Sequence, residues 1–178
     1  TNCVDSSGNL YISFSGIFCY VYIVLDTTNT IPSEFINNNG VPFFVTLMKF
    51  DTNGVFLWNN YVRNNERTDG STLFPVLTCN NNSLYLQFNS FTTYYLDGID
   101  FYNANALDNI VYTLPTKTYY LDNSGVNHSV LAKYDTDGNF NWACTSAAYN
   151  IEDFNTIPTG IVTDNDGHVY IGGAYVGG

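Results

Sequence analysis

Positive charge is scarce in this chain. Five Lys and Arg stand against sixteen Asp and Glu, giving a formal net charge of −11 over 178 residues. Nucleic acids and anionic membranes are held by basic patches, so neither is an expected partner. No run of about 18 apolar residues occurs, so no stretch reads as a membrane-spanning helix. There is no initiator Met and no signal-peptide pattern. Thr1 stands directly before one patterned strand and Gly178 just after another, which reads as a piece of a longer polypeptide or a processed product.

Groups that carry catalysis are equally sparse. The histidines are His128 and His168, and neither sits in a Ser-His-Asp or Cys-His pattern. Glu34, Glu66 and Glu152 fall in expected loops, with no facing acid and base of the kind glycoside hydrolysis needs. Gly172-Gly173 and Gly177-Gly178 follow a strand and lead into no helix, so no phosphate loop is present. Asp135-x-Asp137-Gly138 and Asp164-x-Asp166-Gly167 look superficially like calcium loops. In both the Gly comes too early and the bidentate Glu is absent. Cys3, Cys19, Cys79 and Cys144 show no Cys-x-x-Cys spacing, which argues against zinc. They read as small buried hydrophobes, or as one or two disulfides if the chain is extracellular, with three pairings open. No catalytic residue, metal or cofactor is expected.

What is abundant is strand material. The chain is 45% hydrophobic, 17% aromatic and only 12% charged, with fifteen Tyr and thirteen Phe. Asn is frequent, including Asn37-Asn38-Asn39 and Asn80-Asn81-Asn82, and reads as loop filler. The segment from Lys133 to Trp142, Lys-Tyr-Asp-Thr-Asp-Gly-Asn-Phe-Asn-Trp, has an earlier copy from Lys49 to Trp58, Lys-Phe-Asp-Thr-Asn-Gly-Val-Phe-Leu-Trp. Lys49, Asp51, Gly54 and Trp58 thus recur as Lys133, Asp135, Gly138 and Trp142, each 84 residues on. A fixed period of this size is the mark of a repeat architecture. Each copy reads as a hairpin. The Asp side chain accepts backbone N–H groups two residues on, and the Gly takes a left-handed conformation. Val45, Leu47 and Lys49 alternate with Phe44, Thr46, Met48 and Phe50, the pattern of a half-buried strand. The two Trp are expected to be core anchors, one per unit, with a ligand platform as the alternative.

A second element occurs three times as a polar turn before an aliphatic-Tyr-aliphatic strand. The copies are Asp5 to Ile12, Asn80 to Leu86 and Asp164 to Ile171. The middle copy has Cys79 where the others have Asp and Asn82 where they have Gly. His168 takes the turn position of Asn9, which favours a turn role over catalysis. Three units follow: 1–76, then 77–158 with a Tyr-rich insert at about 90–127, then the start of a third at 159–178. Cys19 to Asp26 is expected to be a further strand and 27–42 a loop. The insert holds an internal echo, Thr93 to Gly98 and Thr118 to Asn123, expected to be two short strands decorating the second unit. Its Tyr94, Tyr95, Tyr119 and Tyr120 are the candidate ligand surface, because Tyr combines apolar area with a hydrogen-bonding tip. The alternative is that these rings pack the insert onto its own unit. Asn81-Asn82-Ser83 and Asn127-His128-Ser129 permit glycosylation, though two sequons are unsurprising in so Asn-rich a chain.

Taken together, Asp5 to Ile12, Phe44 to Trp58, Ser129 to Trp142 and Asp164 to Gly173 resemble the bacterial-type β-propeller repeat, often called the SBBP repeat. The matches cover less than half of the chain and frame nearly all of it. The unit of ~80 residues is longer than that family's blade. The resemblance implies an all-β fold of antiparallel propeller-like blades, two units plus part of a third. It implies a structural or interaction module of a secreted, cell-surface or virion-surface protein. The partners would be further blades of the same polypeptide or other protein subunits, which repeat units need to cover their open faces and edges. A glycan-binding propeller using the Tyr-rich loops is the second expectation, and a polysaccharide-acting enzyme the third.

Overall fold

A computed structural model describes residues 1–16, 44–64, 75–80, 82–92, 98–104, 109–114, 126–145 and 155–176. These residues are all-β and antiparallel, with no helix among them. The strands are β1 (Asn2–Val4), β2 (Leu10–Gly16), β3 (Phe44–Phe50), β4 (Phe56–Asn64), β5 (Val76–Asn80) and β6 (Ser83–Thr92), followed by β7 (Ile99–Tyr102), β8 (Ile110–Leu114), β9 (Val126–Asp135), β10 (Phe140–Thr145), β11 (Asn155–Thr163) and β12 (Val169–Val176). They form a six-stranded sheet in the order β1-β2-β3-β4-β7-β8, a four-stranded sheet β10-β9-β6-β5 and a two-stranded sheet β11-β12. The expected strand at Cys19 to Asp26 and the loop at 27–42 lie outside the described residues.

One turn is used four times. It joins β1 to β2, β3 to β4, β9 to β10 and β11 to β12. In each, Oδ1 of Asp5, Asp51, Asp135 or Asp164 accepts the N–H groups two and four residues on, at 2.8–3.0 Å. In each, the Gly three residues after Asp donates its N–H to the Asp carbonyl, with φ between 78° and 86°. The two sequence motifs are therefore one local structure. The copy without Asp and Gly turns more tightly, pairing Asn80 directly with Ser83.

The first and second sheets stack face to face. Tyr11, Val45, Leu47, Trp58 and Val62 of the first meet Leu77, Leu84, Leu86, Phe88, Val130, Ala132 and Tyr134 of the second. Full burial of an aromatic such as Phe88 stabilises the fold by roughly 2–3 kcal/mol. β11 lies against β5, β6 and β9 on the other side of the second sheet. That is why Leu84 through Asn89 of β6 are all buried rather than alternately wet. β3 also departs from the half-buried expectation. Val45 through Phe50 are buried throughout, with Phe56 set edge-on against Phe50 at 5.8 Å. Alternation in a central strand records which sheet each side chain faces, not which side is wet.

The insert supplies β7 and β8, and these do not join the sheet of β6 and β9, the strands on either side of them in sequence. β7 pairs with β4, so the hairpin extends the first sheet. The far edge of β4 is an open row of N–H and C=O groups, and the hairpin covers part of it. Of the segments that carry the internal echo of the insert, all but Gly98 lie outside the described residues.

Candidate functional site

The β3–β4 and β9–β10 hairpins, with the neighbouring strands β2 and β6, place the same three side-chain types on one face of each sheet. In the first sheet they are Tyr11, Lys49 and Trp58. Lys49 stands over the Tyr11 ring at 5.4 Å, and Tyr11 tilts against Trp58 at 6.1 Å. In the second sheet they are Tyr85, Lys133 and Trp142, with Lys133 over Tyr85 at 5.4 Å and Tyr85 against Trp142 at 6.4 Å. Strand register explains the match. Lys49 lies between Tyr11 on β2 and Trp58 on β4, and Lys133 between Tyr85 on β6 and Trp142 on β10.

The first triad is occupied. Lys49 Nζ donates to the Thr136 carbonyl at 2.8 Å, and Trp58 Nε1 donates to the same oxygen at 3.3 Å. That carbonyl belongs to the residue after Asp135 in the β9–β10 turn. Asn60 Nδ2, two residues after Trp58, donates to the Gly138 carbonyl at 3.0 Å and to the Tyr102 carbonyl at 2.6 Å. The Ala104 N–H also donates to the Gly138 carbonyl, and Asn103 Oδ1 accepts the Phe140 N–H. The turn of the second hairpin is thus seated in a polar-and-aromatic socket on the first sheet. Lys49 is left 8% exposed and Trp58 6% exposed.

The second triad has the same geometry without that cover. Trp142 is 40% exposed. Among the described residues, neither Lys133 Nζ nor Trp142 Nε1 has a hydrogen-bond acceptor. The expectation that both Trp are core anchors therefore holds for Trp58 alone. The same sequence positions differ because one has a turn laid over it and, among the described residues, the other does not.

The turn acids Asp5 and Asp164 each take up a second set of partners. Asp5 Oδ2 accepts Asn9 Nδ2 and the Tyr11 hydroxyl, both at 2.9 Å. Asp164 Oδ2 pairs with His168 Nδ1 at 2.9 Å and accepts the Tyr170 hydroxyl at 3.0 Å. Desolvation pushes both carboxyls up, and the donated hydrogen bonds outweigh it. Asp5 is held below its ordinary range and Asp164 down to about 2. Burial, then the bond to Asp5, raises the Tyr11 phenol. Tyr170 is raised chiefly by its bond to Asp164. His168 is thus a turn residue. Asp164, Asp166 and His168 place ligand-type atoms within 4.8 Å of one another. Turn hydrogen bonds already occupy both Asp164 oxygens.

Tyr94, Tyr95, Tyr119 and Tyr120, the candidate ligand surface, lie outside the described residues, as do Cys19, Glu34, Glu66 and Glu152. The structural repeat residues Lys49, Asp51, Gly54, Trp58, Lys133, Asp135, Gly138 and Trp142 all lie within them. Tyr11, Tyr85 and Asn60 complete the two triads and the filled seat. The sequence signal for the tyrosines was the aliphatic-Tyr-aliphatic strand. Nothing local linked them to the Lys and Trp. Asn60 has no counterpart in the second hairpin, where Cys144 stands 84 residues on. Comparison of the chain with protein-family models, curated proteins and solved structures finds no match in any of the three.

Proposed function

We propose that the chain is a non-enzymatic structural and interaction module, built from propeller-like blades, of a secreted, cell-surface or virion-surface protein. Each sheet works as one blade, and binding is carried by the surfaces that one blade presents to the next. One observation carries this reading. Lys49 and Trp58 of the first sheet clasp the Thr136 carbonyl of the second, and the same pair recurs on the second sheet as Lys133 and Trp142 with no such clasp among the described residues. An element made to receive a copy of itself is a device for stacking units, not for turning over a substrate. The net charge of −11 fits an exposed, soluble role and disfavours nucleic-acid partners.

The test is the mass of the natural protein in solution, with a parallel assay on a panel of polysaccharides. Incorporation into a longer polypeptide or an oligomer, with no turnover, supports the reading. A solitary monomer that degrades a polysaccharide overturns it.

A further inference from the structure

The third sheet repeats the stacking of the second. β5, the first strand of the second sheet, lies against β1 and β2 of the first. β11, the first strand of the third, lies against β5 and β6 of the second. Asn80 Nδ2 donates to the Asp164 carbonyl across that second junction. In the first and second sheets the inner pair continues into a hairpin, because β2 pairs with β3 and β6 pairs with β9. Among the described residues β12 pairs only with β11, and no described strand pairs with its other edge. Tyr170, the counterpart of the fully buried Tyr11, is 56% exposed. Val162 and Ile171 are exposed beside it.

Two features unfilled among the described residues therefore lie where a single element would fill both. One is the outer edge of β12. The other is the Lys133–Trp142 seat on the second sheet. In the filled junction the β9 strand pairs with the edge of β6, and the turn that ends β9 delivers its carbonyl to Lys49 and Trp58.

We propose that the Tyr85–Lys133–Trp142 face and the edge of β12 form one docking site for a β-hairpin with an Asp-x-x-Gly turn and a free first-strand edge. The first strand of that hairpin adds antiparallel to β12. The carbonyl of the residue after the turn Asp accepts from Lys133 Nζ and Trp142 Nε1. The turn Gly lies against the Trp142 ring, as Gly138 lies against Trp58, where an added Cβ would come within 3.2 Å. The occupant is a third hairpin of the chain's own kind and not the β3–β4 hairpin of a second copy. In that hairpin the required edge of β3 is already paired with β2, and in the β9–β10 hairpin that of β9 is paired with β6. β1 of the β1–β2 hairpin has only three residues, and β11 of the β11–β12 hairpin is engaged against β5, β6 and β9 of its own chain. Strand addition supplies main-chain affinity, and the carbonyl clasp supplies register.

This inference rests on the module reading, and its test fails separately from it. The probe is a fluorescein-labelled, end-cyclised peptide of residues 126–141, cyclised because an isolated hairpin is only marginally stable. It contains Asp135 and Gly138 and no Trp. Fluorescence anisotropy against the 178-residue chain is expected to show saturable binding. Lys133→Met is expected to weaken it at least ~10-fold, the value of a hydrogen bond from a charged donor. Trp142→Phe keeps the ring, loses the N–H and is expected to cost roughly 2–10-fold. Urea midpoints of both variants, unchanged from the parent, establish that they are folded. Asp135→Ala in the peptide, which leaves the protein untouched, is expected to abolish binding. Absence of saturable binding overturns the site, as does binding indifferent to Lys133→Met and to the peptide change. Self-association of the chain that Lys133→Met dissolves, with no peptide binding, assigns the face to a second copy and overturns the hairpin. If the peptide fails while the natural protein still assembles without turnover, only the seat is lost. If the natural protein is a solitary catalyst, the module reading itself is lost.

Discussion

Gly54 and Gly138 occupy the same turn position, with φ of 78° and 82°, in hairpins of nearly the same sequence. Their surroundings differ. A Cβ on Gly54 meets nothing within 4 Å. A Cβ on Gly138 meets the Ala104 Cβ at 2.5 Å and Trp58 ring atoms at 3.2 and 3.3 Å. Both Gly→Ala substitutions carry the left-handed penalty of about 1–2 kcal/mol. Gly138→Ala also forces an approach more than about 1 Å inside the best carbon–carbon separation of about 3.5–4 Å. Neither the Ala104 methyl nor the indole can rotate out of the way, so the turn must lift from its seat. Overpacking of this kind costs about 1–3 kcal/mol more. Gly54→Ala is expected to destabilise by about 1–2 kcal/mol and Gly138→Ala by about 2–5 kcal/mol. Urea unfolding followed by tryptophan fluorescence measures both. At a typical slope of about 2 kcal/mol per molar, the midpoints should separate by roughly 0.5–1.5 M. Equal losses, within about 0.5 kcal/mol, would show that the turn is not seated on the first sheet and would refute the assignment of Lys49 and Trp58 as its socket.

Three further outcomes follow from other parts of the fold. The Tyr134 hydroxyl is buried with no hydrogen-bond partner among the described residues, and its counterpart 84 residues earlier is Phe50. Tyr134→Phe is therefore expected to stabilise by about 1 kcal/mol, and a loss of more than that would mean the hydroxyl is satisfied. Asp164, held down to about 2 from 3.8, favours the folded state above about pH 4 and loses that effect as the pH falls through about 2. Its carboxyl resonance should titrate near 2, whereas a midpoint near 3.8 would mean the His168 and Tyr170 bonds do not form in solution. The thiols of Cys3 and Cys79 hydrogen-bond to each other, so that of Cys3 is raised and that of Cys79 lowered. Mild oxidation should join them across 76 residues of chain and stabilise by about 4–5 kcal/mol on the chain-entropy model. Thiol counting before and after oxidation, with a thermal melt, checks this, and two thiols that stay titratable would contradict it.

The local turns could be read from the sequence alone. Asp in the first position and Gly in the fourth fix a turn through bonds that close within five residues, so Asp5, Asp51, Asp135 and Asp164 announce themselves wherever they stand, although the strands β1 and β11 that make hairpins of the first and last were not expected. The 84-residue offset likewise marks Lys49 and Trp58 as partners in role to Lys133 and Trp142, because a side chain's place on its strand depends only on its distance from the turn. Three matters were decided only by the tertiary structure. The insert hairpin joins β4 of the first sheet, because an open strand edge accepts any complementary strand that reaches it, whatever its distance along the chain. Val45 to Phe50 and Leu84 to Asn89 are buried without alternation, and for Leu84 to Asn89 the cover is the first sheet on one side and β11 on the other, which leaves no mark in the covered strand. Trp58 and Trp142 are indistinguishable in local sequence and different in state, one clasping the Thr136 carbonyl and the other open. A residue's own pattern fixes the direction in which it points. What stands opposite it is fixed by a segment 78 residues away in one case and, in the other, by none among the described residues.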